Sequence, residues 1–148
     1  MAGFKGQAEY SVDAKSRLAI PAKMRAVLNP EAKNTFTITR GFEQCIFLYP
    51  LDRWEAIESE LNALNSYSRA ARNFVRNVLM WADEVQLDAQ GRIGLPKVLA
   101  EMAGVTDRAL VIGALDHIEI WNPERFQSYL NEQEDDYETL AERVMGLT

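Results

Sequence analysis

The chain is poor in the groups on which most enzymes and secreted proteins depend. In 148 residues it has one cysteine, Cys45, and one histidine, His117. A lone cysteine excludes an internal disulfide and gives no sign of an oxidising compartment, so a cytoplasmic setting is expected. One imidazole and one thiol leave no His–Cys zinc cluster and no His-based triad, and no metal site is expected. His117 opens an apolar run just as Cys45 does, which favours packing. No Gly-rich phosphate loop occurs. No apolar run approaches the roughly 18 residues that span a bilayer. The opening Met1-Ala-Gly-Phe-Lys-Gly6 has no stretch that could serve as a secretory signal. Glu134-Asp135-Asp136 reads as a solvated run, not as a tuned acid–base pair. Catalytic residues, cofactors, membrane contacts and small-molecule substrates are therefore not expected, and an enzyme is disfavoured.

What is present is an ordinary globular composition, 47% apolar and 26% charged, with charge distributed unevenly. The net charge is −6, which at first argues against a nucleic-acid partner. Yet residues 1–40 carry seven Lys/Arg against three Asp/Glu, while residues 116–148 carry two Arg against nine acids. The distribution fits either solvated surface or a basic binding edge with acidic helices kept away from the ligand.

The strongest feature is an internal repeat, the first thing to seek in a new sequence. Tyr10-Ser-Val-Asp13-Ala-Lys-Ser-Arg17-Leu-Ala-Ile-Pro21 returns as Val85-Gln-Leu-Asp88-Ala-Gln-Gly-Arg92-Ile-Gly-Leu-Pro96. Around it each half predicts a strand (Ala8–Val12; Glu84–Leu87), a tight turn and a second strand (Arg17–Ile20; Arg92–Leu95). Proline then opens a helix, where its missing N–H costs nothing. The helices read Pro21–Leu28 and Pro96–Ala103, the second closed by Gly104. Two more strands follow in each half, Thr35–Thr39 with Cys45–Tyr49 and Ala109–Ile112 with Ile118–Trp121. Each half ends in a helix, Asp52-Arg53-Trp54 matching Glu124-Arg125-Phe126. The order β-β-α-β-β-α occurs twice in an α+β chain. A unit of about 45 residues buries too little surface alone, so the two are expected to share one core. The expected division is 7–54, a helical connector 55–82, a second unit 83–126 and an acidic tail 127–148.

In the connector Trp54, Ile57, Leu61 and Leu64 form one apolar stripe. A second helix over Ser68–Trp81 is expected to turn Ala71, Phe74, Val75, Val78 and Leu79 inward. Its Arg69, Arg72 and Arg76 then form a solvated or subunit-contact face.

The repeated turn has a definite chemistry. An Asp at its start accepts hydrogen bonds from backbone N–H groups further on and fixes the reversal. Ser16 and Gly91 stand where a positive φ is often required, which glycine adopts freely. The arginine is then held just beyond the turn, beside a carboxylate that can orient it. One such turn is commonplace; two in register, each followed by an Ile/Leu-Pro helix start, are not.

The pattern Asp-x-Lys-Ser-Arg-Leu-x-Ile-Pro-x-x-x-Arg, from Asp13 to Arg25, with its second copy from Asp88 to Pro96, resembles the bacterial MraZ family. Phe4-Lys5-Gly6 and Phe47-Leu48-Tyr49-Pro50-Leu51-x-x-Trp54 are also similar to family features. The family pattern has Gly where this chain has Ser16; Gly91 keeps it. The resemblance implies two SpoVT/AbrB-type units forming one pseudo-two-fold, swapped-hairpin β-barrel with extra helices. It implies a nucleoid-associated, ring-like homo-oligomer that regulates, as a repressor, the division and cell-wall gene cluster and its own promoter. The implied partner is double-stranded DNA with guanine-rich direct repeats.

Joined to side-chain chemistry, that implication gives each residue an expected role. Arg17 can bond O6 and N7 of guanine together. Asp13 and Asp88 orient their arginines, and Arg92 is the pseudo-symmetric partner of Arg17. Lys5, Lys15, Lys23 and Arg25 would hold phosphates and set register. The second copy has Gln90, Val98 and Ala100 where the first has Lys15, Lys23 and Arg25, though Lys97 adds a charge at the position of Ala22. The first copy is expected to dominate. The competing expectation is an oligomeric interaction module without specific DNA binding.

Overall fold

The computed structural model of the chain describes residues 3–146. The first half contributes β1 (Gln7–Ser11), β2 (Arg17–Ala19), α1 (Ala22–Arg25), β3 (Thr35–Arg40), β4 (Ile46–Pro50) and α2 (Leu51–Asn62). After α3 (Arg69–Leu79), the second half contributes β5 (Asp83–Gln86), β6 (Arg92–Gly94), α4 (Lys97–Ala103), β7 (Arg108–Gly113), β8 (Ile118–Trp121) and α5 (Pro123–Asn131). A last helix, α6, spans Tyr137–Met145. The chain is thus α+β, with the expected element order in both halves.

Every pairing between these strands is antiparallel, and most cross between halves. Six strands lie in the order β1-β7-β8-β4-β3-β5, while β2 and β6 form a separate ribbon. Exchanging each strand for its counterpart in the other half reverses the six-strand order and leaves it unchanged. Gln7 of β1 faces Ile112 of β7, and Thr35 of β3 faces Gln86 of β5. The two halves meet in the middle at β4 and β8, where Ile46 faces Ile120.

One core serves both halves. Leu18, Ile20 and Met24 are buried, as are their repeat counterparts Ile93, Leu95 and Leu99, in one cluster with Phe36, Ile38, Ile118 and Ile120. Burial of such side chains contributes roughly 1.5–3 kcal/mol each, so neither half retains its main stabilisation without the other.

Local chemistry explains where the elements stop. Pro21 and Pro96 occupy the capping position just before α1 and α4, with extended ψ of 140° and 135°. The first helix is shorter than the expected 21–28. After Arg25 the chain tightens into i→i+3 turns, Val27 N–H donating to the Met24 carbonyl and Leu28 N–H to the Arg25 carbonyl, both at 3.2 Å. Asn29, disfavoured in helical geometry by the following Pro30, is extended with ψ 150°. Gly104 closes α4 at φ 68°, as expected. Ser68 caps α3 by accepting from the Ala71 N–H at 3.2 Å, and the Thr39 hydroxyl donates to the Val78 carbonyl at 2.7 Å, tying the helix to β3.

The expected inward face of α3 is corrected by the structure. No residue of α3 is buried, and Phe74 and Leu79 are 42% and 44% exposed. Apolar periodicity marks a face, but in one copy of the chain no layer covers this one.

Candidate nucleic-acid interface

The two repeated turns have nearly identical internal geometry. Asp13 Oδ1 accepts from the N–H groups of Lys15 and Arg17, both at 2.9 Å, and its Oδ2 accepts from Arg17 Nε at 2.7 Å. Asp88 Oδ1 accepts from the N–H groups of Gln90 and Arg92, again both at 2.9 Å, and its Oδ2 accepts from Arg92 Nε at 3.0 Å. Ser16 and Gly91 sit at φ 59° and 76°, so the left-handed step read from the pattern is present in both. The Arg17 backbone N–H is the main cause that holds the Asp13 carboxyl below its ordinary range; the Arg92 N–H does the same for Asp88. Both aspartates are therefore ionised at neutral pH.

Beyond the turns, β2 and β6 pair with Arg17 opposite Gly94 and Ala19 opposite Arg92. Strand alternation buries Leu18 and Ile93 and turns Arg17, Ala19, Arg92 and Gly94 to the other face. Each arginine thus stands across from a residue with little or no side chain. A Cβ added at Gly94 would meet nothing within 4 Å. The result is a low two-stranded ribbon with a guanidinium on each strand, a shape the DNA major groove admits.

The two arginines differ in how far they are committed. Arg92 donates Nε to Asp88, approaches Asp13 Oδ2 with Nη1 at 3.5 Å, and places Nη2 on the Gln90 side-chain oxygen. Arg17 spends only Nε, on Asp13, and its Nη groups take no hydrogen bond among the described residues. Asp13 therefore joins the halves, facing both guanidiniums, whereas Asp88 serves one.

The remaining candidate residues fall into three situations. Lys5 and Lys15 are exposed, and Lys15 stands within the first turn. Lys23 is exposed and reaches back over Gly6, where a Cβ would lie 2.7 Å from its Nζ. Lys97 is exposed on α4 with Glu101 4.0 Å away. Arg25 is different. Its Nε donates to the Ile20 carbonyl at 3.0 Å, and its guanidinium covers Gly91, so the first half braces the second turn.

Ala19, Gly94 and Gln90 were not singled out from the sequence. Ala19 and Gly94 align in the repeat and alternate with apolar neighbours, a signal that marks them as outward. Gln90 on Arg92 had no such signal, since the contact depends on side-chain placement.

His117 has the packing role expected. It lies 4.3 Å from the Phe47 ring centre, with Asp116 at 2.8 Å from Nδ1 and Glu119 at 3.2 Å from Nε2. Burial opposes its charge, but the two carboxylates outweigh that and raise its pKa. No group of three or more His, Cys, Asp or Glu side chains able to hold a metal occurs among the described residues, and no described helix is long and apolar enough to cross a membrane.

Fold and site together define a class: a duplicated α+β chain in which both halves build one arginine-bearing ribbon. Residues 4–77 and 78–147 each match the family described as "MraZ protein, putative antitoxin-like". A relative from Clostridium beijerinckii, named Transcriptional regulator MraZ, is 39% identical over 144 residues, covering 97% of this chain and 98% of the relative. The chain belongs to the MraZ family.

Proposed function

We propose that this chain is a transcriptional regulator that reads guanine-rich direct repeats in double-stranded DNA through the β2–β6 ribbon. The observation that carries the reading is the Arg17 guanidinium, anchored by one nitrogen on Asp13 with its two Nη groups uncommitted on a flat outward face. Family membership and the relative's name support a regulatory role. Arg17 takes O6 and N7 of a guanine. Lys5, Lys15, Lys23 and Lys97 supply phosphate contacts, which fix register without reading sequence. Arg25, Arg92, Asp13 and Asp88 hold the two turns, and Arg92 and Arg25 add contacts when their internal partners are exchanged for DNA.

The finer parts of the reading belong to the same proposal. The halves form a swapped-hairpin barrel of the SpoVT/AbrB type, divided at 7–54, 55–82, 83–126 and 127–148. The protein acts in the cytoplasm at the nucleoid, as a ring of identical chains, repressing the division and cell-wall cluster and its own promoter. A ring presents the same ribbon repeatedly, so direct repeats bind with avidity.

A gel shift with the full chain tests this, using guanine-rich repeat DNA against a scrambled duplex at about 50 and about 200 mM salt. The expected result is preference for the repeats and affinity that falls with salt. Equal, salt-independent or absent binding overturns the reading in favour of an interaction module.

A further inference from the structure

A groove of about 740 Å³ separates α2 from α3, and its two walls carry opposite charge. Glu55 and Glu58 line it from α2, Arg72 and Arg76 line it from α3, and the floor between them includes Leu61, Leu64, Val75 and Leu79. Among the described residues none of these four charges belongs to an ion pair. Arg72 donates to the Ser66 carbonyl at 3.0 Å and Arg76 to the Asn73 side chain at 3.1 Å, both neutral acceptors.

The same chain carries a helix with the matching pattern. At 100° per residue, Tyr137, Leu140, Ala141, Val144 and Met145 of α6 fall on one stripe. Glu138 and Glu142 border that stripe on one side and Arg143 borders it on the other. The stripe is uncovered: Tyr137 is 82% exposed and Val144 78%, and no residue of α6 is buried. Arg143 is held by Asp135 at 2.6 Å, so the acidic border is the freer of the two.

We infer that α6 of one copy docks in the α2–α3 groove of a second copy. Its apolar stripe meets the floor, Glu138 and Glu142 face Arg72 and Arg76, and Arg143 faces Glu55 and Glu58. An amphipathic helix laid in an apolar groove is an established mode of recognition. Here opposite charge on the two walls selects one direction of the helix over the other. Within one chain α6 lies outside the groove and both surfaces stay exposed, so a second copy satisfies them. Because groove and helix are different patches, the contact is head-to-tail, and such contacts close into rings or run on as filaments. This rests on the ring of the proposed function and supplies its contact surface, whereas the guanine reading by the ribbon fixes no such surface and is tested separately by the gel shift.

The experiment is the molar mass of the full chain in solution, measured by light scattering, with no DNA present. The parent is expected to be oligomeric. Groove reversal, Arg72→Glu with Arg76→Glu, and helix reversal, Glu138→Arg with Glu142→Arg, should each reduce the mass toward that of one chain. All four residues lie outside the core, and circular dichroism confirms folding of each variant. Mixing the two reversed proteins should restore the oligomer, because acidic groove then meets basic helix and basic groove meets acidic helix. A monomeric parent, an unchanged mass in either variant, or a mixture that stays dissociated overturns the inference. An unchanged mass in both variants is what docking of α6 within its own chain would give. A protein that still prefers guanine repeats while failing this test keeps the DNA reading; an oligomeric parent then meets its copies elsewhere, and a monomeric one loses the ring as well.

Discussion

The two Asp–Arg turns share their backbone and differ in what they leave available. In both, one carboxylate fixes two N–H groups and an Nε. In the second turn, Gln90 adds an acceptor that occupies Arg92 further; in the first, Lys15 stands at the matching position and has nothing to accept with. The repeat therefore determines where an arginine stands and anchors its Nε, and the neighbour two residues earlier, with Asp13 across the ribbon, determines how much further it is engaged. Duplication supplied the position twice, and substitution left its two arginines differently committed.

Breaking the two turns separately gives the largest contrast. Arg17→Ala is expected to lower affinity for guanine-repeat DNA about 10- to 100-fold, the 1–3 kcal/mol of a bidentate base contact. Arg92→Ala should cost less and affect repeat and scrambled DNA alike. Fluorescence anisotropy on both duplexes measures this, and equal losses for the two variants would erase the distinction between the turns.

The next contrast concerns stability. Gly91→Ala places a Cβ 2.6 Å from Arg25 Cζ at φ 76°, and about 1–2 kcal/mol of destabilisation is expected in urea unfolding. Ser16→Gly relieves a left-handed serine at φ 59° and should stabilise by about 0.5–1 kcal/mol. Should both changes destabilise, the turns are not equivalent in backbone strain.

A smaller effect follows from Gln90. Removing its acceptor with Gln90→Ala releases one Nη of Arg92, and DNA affinity should rise roughly two- to five-fold, the scale of one exposed charged contact. No change would mean that Asp13 and Asp88 alone restrain Arg92. The smallest effect is on pH dependence. Because both aspartates titrate below their ordinary range when folded, their contribution is present above an unfolded value near 4 and is lost as pH falls through the folded value. Melting temperature against pH should show a shallower acid limb for Asp13→Asn and for Asp88→Asn, and more so for Asp13, which faces two guanidiniums.

Much of this was legible in the sequence because it is local. The Asp that starts each turn, the proline after each second strand and Gly104 after α4 act within a few residues of themselves. What escaped is non-local. The pairing of β1 with β7 and β3 with β5 depends on which apolar faces meet across the chain. The exposure of Phe74 depends on a layer that one chain does not provide. Within the candidate site, Arg17 was readable from its register, whereas Arg25 on the Ile20 carbonyl was not, since a long side chain reaches many acceptors from one backbone position.

The mirrored strand order has a consequence for how the chain is made and altered. Gln7 waits for Ile112 and Thr35 for Gln86, so neither half can finish folding before the other is synthesised. Severing the link at 63–67 should yield two fragments that stay clasped until denaturant parts them. Two separate, identical polypeptides clasped in this way would have to keep identical turns, because every mutation would appear in both. Joined end to end, the copies inherit changes independently, and only then can Ser16 persist beside Gly91, or Lys15 beside Gln90.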